Sequence, residues 1–378
     1  MALDYFIQSG GKQLRCGYTT GTCAALAAAG AARLLLTGNA PESLCLMTPK
    51  GVAVEAPAVD GHLEADTALC AVAKDGGDDV DATHGALIYA QVRRNTLSGV
   101  SIDGGEGVGR VTKPGLDQPV GAAAINRVPR QMIEQQVQQV CDELGYDGGL
   151  QVLIVVPKGE EIAAKTFNPR MGIEGGISIL GTSGIVEPMS VQALIDTIAL
   201  ELRQAAATGA KQVMLTPGSY GERFILDSGY TRLGVPMVRC SNFIGEALDE
   251  AAALGFEQVL LIGHAGKLVK LAGGIMNTHS RWADCRTELI CAHAAVCGAG
   301  QAVCADLLQA ATTDACIEIL DKAGLRAPVM ARLMAAVADH LKHRAACAYT
   351  IGAVLFSNQY GPLGMTPEAE EILEAWKK

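Results

Sequence analysis

Three short apolar runs in the second half of the chain, at residues 213–215, 235–240 and 259–262, constrain its fold more than any other feature. Each ends abruptly in a polar loop: TPGSYGERF, SNFIGEALDEAAALG and GHAGK. The middle loop becomes a helical pattern, with Asn242 near its start. Strand and helix alternating in this way predict a parallel sheet with right-handed crossovers. Open α/β sheets bind their ligands outside the carboxyl ends of such strands. The loops are therefore where chemistry is expected, above all residues 255–288, GFEQVLLIGHAGKLVKLAGGIMNTHSRWADCRTE. Further on, one long helix is expected from Asp284 to about Ala311. Another is expected from Pro328 to before Ala346, then a last strand at 354–356.

The first half has a different rhythm and reads as α+β. Residues 19–38, TTGTCAALAAAGAARLLLTG, suit a helix with a threonine cap and a glycine stop. SLCLMT and VAVEA flank Pro49-Lys50-Gly51 as a hairpin. Residues 87–92, 100–102 and 151–156 are strands, and Pro129 opens a helix running to Gly145. The rhythm changes after ILGTSGIVEPMS, so two domains are expected, 1–192 (α+β) and 193–378 (α/β).

The chain has 378 residues, 49% of them apolar, enough for a sizeable core. Its net charge of −10 and 4% aromatic content argue against a nucleic-acid surface. No long apolar run suggests a membrane span, and MALDYFIQSGG does not read as a signal peptide. The twelve cysteines form no CxxC pair, so reduced, buried thiols of a cytoplasmic protein are expected. His264 and His279 lack a well-spaced third ligand, and no protein-bound metal is expected.

Four loops carry candidate chemistry. In RCGYTTGTCA, the threonines either cap a helix or help its N-terminus cradle an anion. Residues 157–190 hold Lys158, Lys165 and Arg170, suited to carboxylates, and Glu160, Glu161, Glu174 and Glu187. TPGSYGERF offers close backbone approach at Gly218 and Gly221, and Glu222 as a ribose acceptor. In GHAGK the P-loop pattern fails, because Leu261 replaces its first glycine and Leu268 its Ser or Thr. GGEGVG at 104–109 fails as a dinucleotide fingerprint, since no helical run follows.

The segments RCGYTTGTCAALAAA, GEGVGRVTKPGL, KTFNPRMGIEGGISILGTSGIVEPMS and GHAGKLVKLAGGIMNTHSRWADCRTE run in order from Arg15 to Glu288. In them the sequence resembles the CbiD family, the cobalt-precorrin-5B C(1)-methyltransferases of anaerobic cobalamin biosynthesis. The resemblance implies S-adenosylmethionine as methyl donor and a tetrapyrrole acceptor that itself carries the cobalt, methylated at carbon 1 to give cobalt-precorrin-6A. It also implies a first domain like a ribosomal-protein-S5 module and an α/β second domain. A cleft with apolar walls and a few cations suits such an acceptor. The expected partner is thus a small molecule, neither nucleic acid nor membrane, and a homo-oligomer is compatible.

On this reading the donor meets Thr216, Gly218, Ser219 and Glu222 at one strand end, Ser241, Asn242 and Phe243 at the next, and Gly263 and Gly266 at the third. The acceptor meets Lys158, Lys165, Arg170, Lys267 and Lys270, with Thr19, Thr20, Thr22, Asn277 and His279. Glu174, His264 and Asp284 are candidates for proton transfer. A non-catalytic corrinoid carrier would use the same polycarboxylate cleft but needs no donor pocket. A kinase-like enzyme is disfavoured by the failed phosphate motifs.

Overall fold

The computed structural model describes residues 3–9, 11–166, 168–169 and 171–377. It divides into two compact units, Met1–Val191 and Gln192–Lys378.

In the first unit the helix α1, Thr20–Thr37, is the centre of the core. Thr19 caps it by accepting the Thr22 N–H at 3.2 Å, and Gly38, at φ 76°, ends it. Its alanines let it lie close to a sheet. A Cβ on Gly30 would stand 2.7 Å from the Cys70 sulfur, so only glycine permits this approach. By length and mean hydropathy α1 could cross a bilayer, contrary to the expectation of no such run, but 78% of it is buried, as in a core helix. The expected hairpin forms from β1, Ser43–Met47, and β2, Ala53–Pro57. The main sheet contains β3 (Val59–Glu64), β4 (Thr67–Ala73), β5 (Leu87–Asn95), β6 (Val100–Gly104) and, after helix α2 (Arg127–Leu144), β7 (Gly149–Val155). Its order is β3-β4-β5-β7-β6, antiparallel except for the β7–β6 pair. Ile88, Ala90 and Val92 alternate along β5 into the core shared with α1 and α2.

The second unit begins with α3 (Val191–Ala207), then β8 (Gln212–Thr216), α4 (Ser219–Asp227), β9 (Met237–Arg239), α5 (Ile244–Ala253) and β10 (Gln258–His264). Next come α6 (Arg286–Val296), α7 (Gln301–Gln309), α8 (Thr313–Lys322), α9 (Arg326–Ala345), β11 (Thr350–Ser357), β12 (Gly361–Met365) and α10 (Pro367–Trp376). The sheet order is β9-β8-β10-β11-β12. Val213, Leu215, Val259 and Leu261 face α3, α5 and α9, while Met214, Leu260 and Ile262 face α4 and α10. Burial on both faces is why β10 reads as an unbroken apolar run.

Several expectations need correction. The sheet is mixed: β8 to β11 are parallel, but β12 is antiparallel to β11. The long helix expected over 284–311 is two helices, because Gly298 takes φ 93° and the chain restarts at Gly300. Helix α8, capped by Thr312, is an addition to the expected elements, as are β12 and α10. Pro328 lies in the first turn of α9, where its missing N–H breaks no bond, rather than at its start.

Candidate functional site

The connections of the second unit reverse direction at one point in its sheet. From β8 the chain passes through α4 to β9 on one side; from β9 it passes through α5 back beyond β8 to β10. Helices α4 and α5 lie on opposite faces. The loops leaving β8 and β10 therefore diverge, and this divergence is the switch point where doubly wound sheets open a binding crevice.

Thr216 ends β8. It is fully buried, and its hydroxyl has no hydrogen-bond partner among the described residues. A Cβ on Gly221 would fall 1.7 Å from that oxygen, so the first turn of α4 must carry glycine there. Gly218 precedes α4 in extended backbone, and Ser219 opens the helix at the surface. Glu222, in the first turn, is held by Arg239 of β9, whose Nε donates to it at 3.0 Å. At the end of β9, Ser241 takes φ 53° and Phe243 is buried. The Asn242 carbonyl accepts the Thr278 N–H at 2.9 Å, and its side-chain oxygen accepts the Thr278 hydroxyl at 3.2 Å. Gly263 lies in β10, where a Cβ would strike Leu268 at 2.8 Å.

His264 ends β10 between the rings of Tyr220 and Phe356. Its Nδ1 accepts the Gly266 N–H at 3.0 Å, so the neutral ring carries its proton on Nε2. Burial lowers its pKa and favours that neutral form, against a smaller opposing pull from Asp314. The ring is thus set to donate a hydrogen bond rather than take a proton. Lys267 follows, half-buried and without an ion pair among the described residues; burial lowers its pKa as well. Burial pushes the thiol of Cys240, just past β9, up to about 12, which disfavours a thiolate there.

Lys270 is in the interior, only 1% exposed. Its ammonium donates to the Thr278 carbonyl at 3.1 Å, the Ser280 hydroxyl at 3.3 Å and the Ala283 carbonyl at 2.8 Å, with Asp284 at 3.5 Å. It is a pin for the following loop. Asp284 is gripped by Arg286, at 2.6 and 2.9 Å, which holds its carboxyl below the usual range and keeps it a paired anion. Asn277 pairs with Phe243 in an isolated bridge and caps His279, accepting its N–H at 3.1 Å. Exposed His279 accepts the Arg281 N–H through Nδ1.

The first-unit candidates form a separate group. The Thr20 hydroxyl accepts the Leu180 N–H at 2.9 Å, and Thr22 donates to the Gly184 carbonyl at 2.7 Å. The Thr19 N–H reaches Gly184 and the Gly21 N–H reaches Leu180, both at 3.0 Å. The helix N-terminus is thereby filled by the chain's own carbonyls, and the capping alternative describes what these threonines do here. Lys158, at φ 64°, and Lys165 are exposed and unpaired among the described residues. Arg170 lies outside the described residues. Glu174 is exposed, with Thr112 donating to it at 3.4 Å.

Two groups escaped the sequence reading. At the end of β11, the Ser357 hydroxyl donates to Asp314 at 2.8 Å, beside the His264 strand end. The run 350–357 carries the same apolar-to-polar break that marks the other strand ends. In the first unit, β4 runs into KDGGDD, where Arg15 grips Asp75 and buried Lys74 pairs with Asp81. That charge-dense break after an apolar run is also a visible signal.

A family model described as CbiD matches residues 7–188, and one described as CbiD, C-terminal domain, matches 277–367. The cobalt-precorrin-5B C(1)-methyltransferase of Ruminiclostridium cellulolyticum is 46% identical over 359 residues, 94% of this chain and 92% of that one. The protein of the same description from Alkaliphilus metalliredigens is 41% identical over 379 residues, 99% of this chain and 98% of that one. A 1.9 Å crystal structure of a cobalamin biosynthesis protein (cbiD) from Archaeoglobus fulgidus is 28% identical, covers 73% of this chain and 86% of its own, and has a TM-score of 0.40.

Proposed function

The chain belongs to the CbiD family, and on that premise we propose that it is a C-methyltransferase of anaerobic cobalamin biosynthesis. It methylates C-1 of cobalt-precorrin-5B, giving cobalt-precorrin-6A, with S-adenosylmethionine as donor and the cobalt carried by the substrate. The observation that carries this reading is near-complete coverage by relatives of that description, at 41–46% identity.

The donor is assigned to the crevice at the ends of β8, β9 and β10. Its support is the unpartnered Thr216 hydroxyl, the unpaired Lys267 ammonium and the Nε2–H of His264, groups that suit a ligand with hydroxyls and a carboxylate. The donor supplies a methyl group on a cationic sulfur: the methyl–sulfur bond breaks, sulfur keeps the pair, and a carbon pair of the macrocycle forms the new bond. The chain's part is to hold the two reactants in line and exclude water. His264 donates a hydrogen bond from Nε2, and Lys267 neutralises a ligand carboxylate. Glu174, His264 and Asp284 have no assigned role as a base, since Asp284 is paired and His264 is set to donate. Lys158, Lys165 and Arg170 remain proposed carboxylate contacts. Lys270 acts on the loop rather than on ligand.

Two finer readings belong here. Kinship of the first unit with S5-like modules is supported by the parallel β6–β7 pair joined through α2. Cytoplasmic residence is supported by the cysteines, all free.

The deciding assay supplies methyl-labelled donor and cobalt-precorrin-5B, then follows label and mass. Transfer of one methyl group is expected. An authentic, bound acceptor that stays unmethylated would sink the enzyme reading.

A further inference from the structure

The most exposed aromatic side chain among the described residues is Trp282, 74% exposed, on the loop that follows β10. The chain has only two tryptophans, and the other, Trp376, is buried in α10 with its Nε1 donating to Gln258 at 2.6 Å. Tryptophan and arginine are the residue types most enriched among side chains that dominate binding, and here the two stand next to each other, exposed, at Arg281 and Trp282.

The loop beneath it is tightly held. The Trp282 N–H closes a turn onto the His279 carbonyl at 3.0 Å. Within that turn Ser280 points inward to the Lys270 ammonium, and the Arg281 N–H is tied to the His279 ring. Lys270 pins both ends through Thr278 and Ala283, and Thr278 is sewn to Asn242 at the end of β9. The chain leaving β10 thus returns to the end of β9, spanning the position of β8 in the sheet order. At its tip the indole of Trp282 and the guanidinium of Arg281 are exposed to solvent, and Arg281 makes no ion pair among the described residues. A braced loop presenting an aromatic face and a cation is preorganised for binding.

We propose that Trp282 and Arg281 dock the acceptor: the indole stacks on the macrocycle and the guanidinium takes one of its peripheral carboxylates. This rests on the methyltransferase reading for the ligand's identity. A flat apolar ring with anionic edges matches the pair in shape and charge. Nucleic acid would share the stacking, but the chain's net charge of −10 opposes it.

The test uses full-length protein and cobalt-precorrin-5B. Adding the acceptor should quench the exposed tryptophan emission in wild type and in Trp376→Phe, but not in Trp282→Phe. In steady state, Trp282→Ala should raise the acceptor KM about ten-fold, the usual cost of losing a stacking side chain. Arg281→Gln should raise it about five-fold, weaker than a full bidentate pair. Donor KM should stay within about two-fold in both, and melting temperatures should not move. Methylation by Trp282→Ala and Arg281→Gln with unchanged acceptor KM would overturn the proposal and leave the enzyme reading intact. Tryptophan quenching without methylation in wild type would strike the enzyme reading and support the docking role. Loss of a dimer in Trp282→Ala, with acceptor KM unchanged, would assign the indole to a second copy and also overturn it.

Discussion

The threonine loop of the first unit and the strand-end crevice in the other unit share a sequence character: hydroxyls and glycines beside a helix start. Their bonding differs. Around Thr19–Thr22 nearly every polar group meets a carbonyl or N–H of residues 180–184. Around Thr216, His264 and Lys267 a hydroxyl, a ring N–H and an ammonium lack partners among the described residues. Polar residues that satisfy one another hold a fold together, while those left unsatisfied at a cost in stability mark where a ligand completes them.

The largest expected effect tests the pin rather than either loop. Lys270→Met strips the buried Thr278 carbonyl and the partly buried Ala283 carbonyl of their donor and should cost about 3 kcal/mol in urea unfolding of the second unit. Next, Thr20→Val strands the Leu180 N–H and should cost about 2 kcal/mol with donor affinity unchanged. A weakened donor in that variant would break the contrast, because the first loop would then be a ligand site too. Lys267→Met should reverse the pattern, lowering ligand affinity about ten-fold while the melting temperature holds or rises. Thr216→Val sharpens the contrast further: removing an unpartnered hydroxyl should leave stability equal or better, yet weaken donor binding by about 1 kcal/mol. Calorimetric donor titration of both variants reads this directly.

The smallest effect is in pH. Because the folded His264 pKa is depressed, the unfolded chain binds its proton first. Stability from this residue is complete above the unfolded value near 6.5 and is lost as pH falls below it. His264→Asn can still cap Gly266, so its melting temperature should fall less between about pH 7 and 5 than that of wild type. Parallel pH profiles would remove the burial argument.

Much of the fold is legible in the amino-acid order alone. The three apolar breaks locate β8, β9 and β10, and Thr19 and Gly38 bound α1 almost to the residue, because caps and strand ends are local. What fails is non-local or needs a partner. Gly298 is tolerable inside an alanine-rich helix on composition, yet its left-handed backbone ends that helix. The antiparallel direction of β12 depends on how the chain folds back from β11, not on its composition. Lys270 and Lys267, three residues apart, are indistinguishable as cations in the sequence; only packing separates a buried pin from an available charge.

The position of β11 has a consequence for biogenesis. It is an interior strand, lying between β10 and β12, yet it comes from residues 350–357. Every hydrogen-bonding partner of β10 on that side, and the helix whose Trp376 latches onto Gln258, therefore emerges long after β10 itself. The first unit is contiguous and can close as soon as its own residues have emerged. The second must wait with β10 half-paired, its apolar edge open to misassembly, until β11 has been synthesised. A ribosome stalled before β11 would display a finished first unit and an unfinished sheet, and chaperone demand during synthesis should concentrate on that interval.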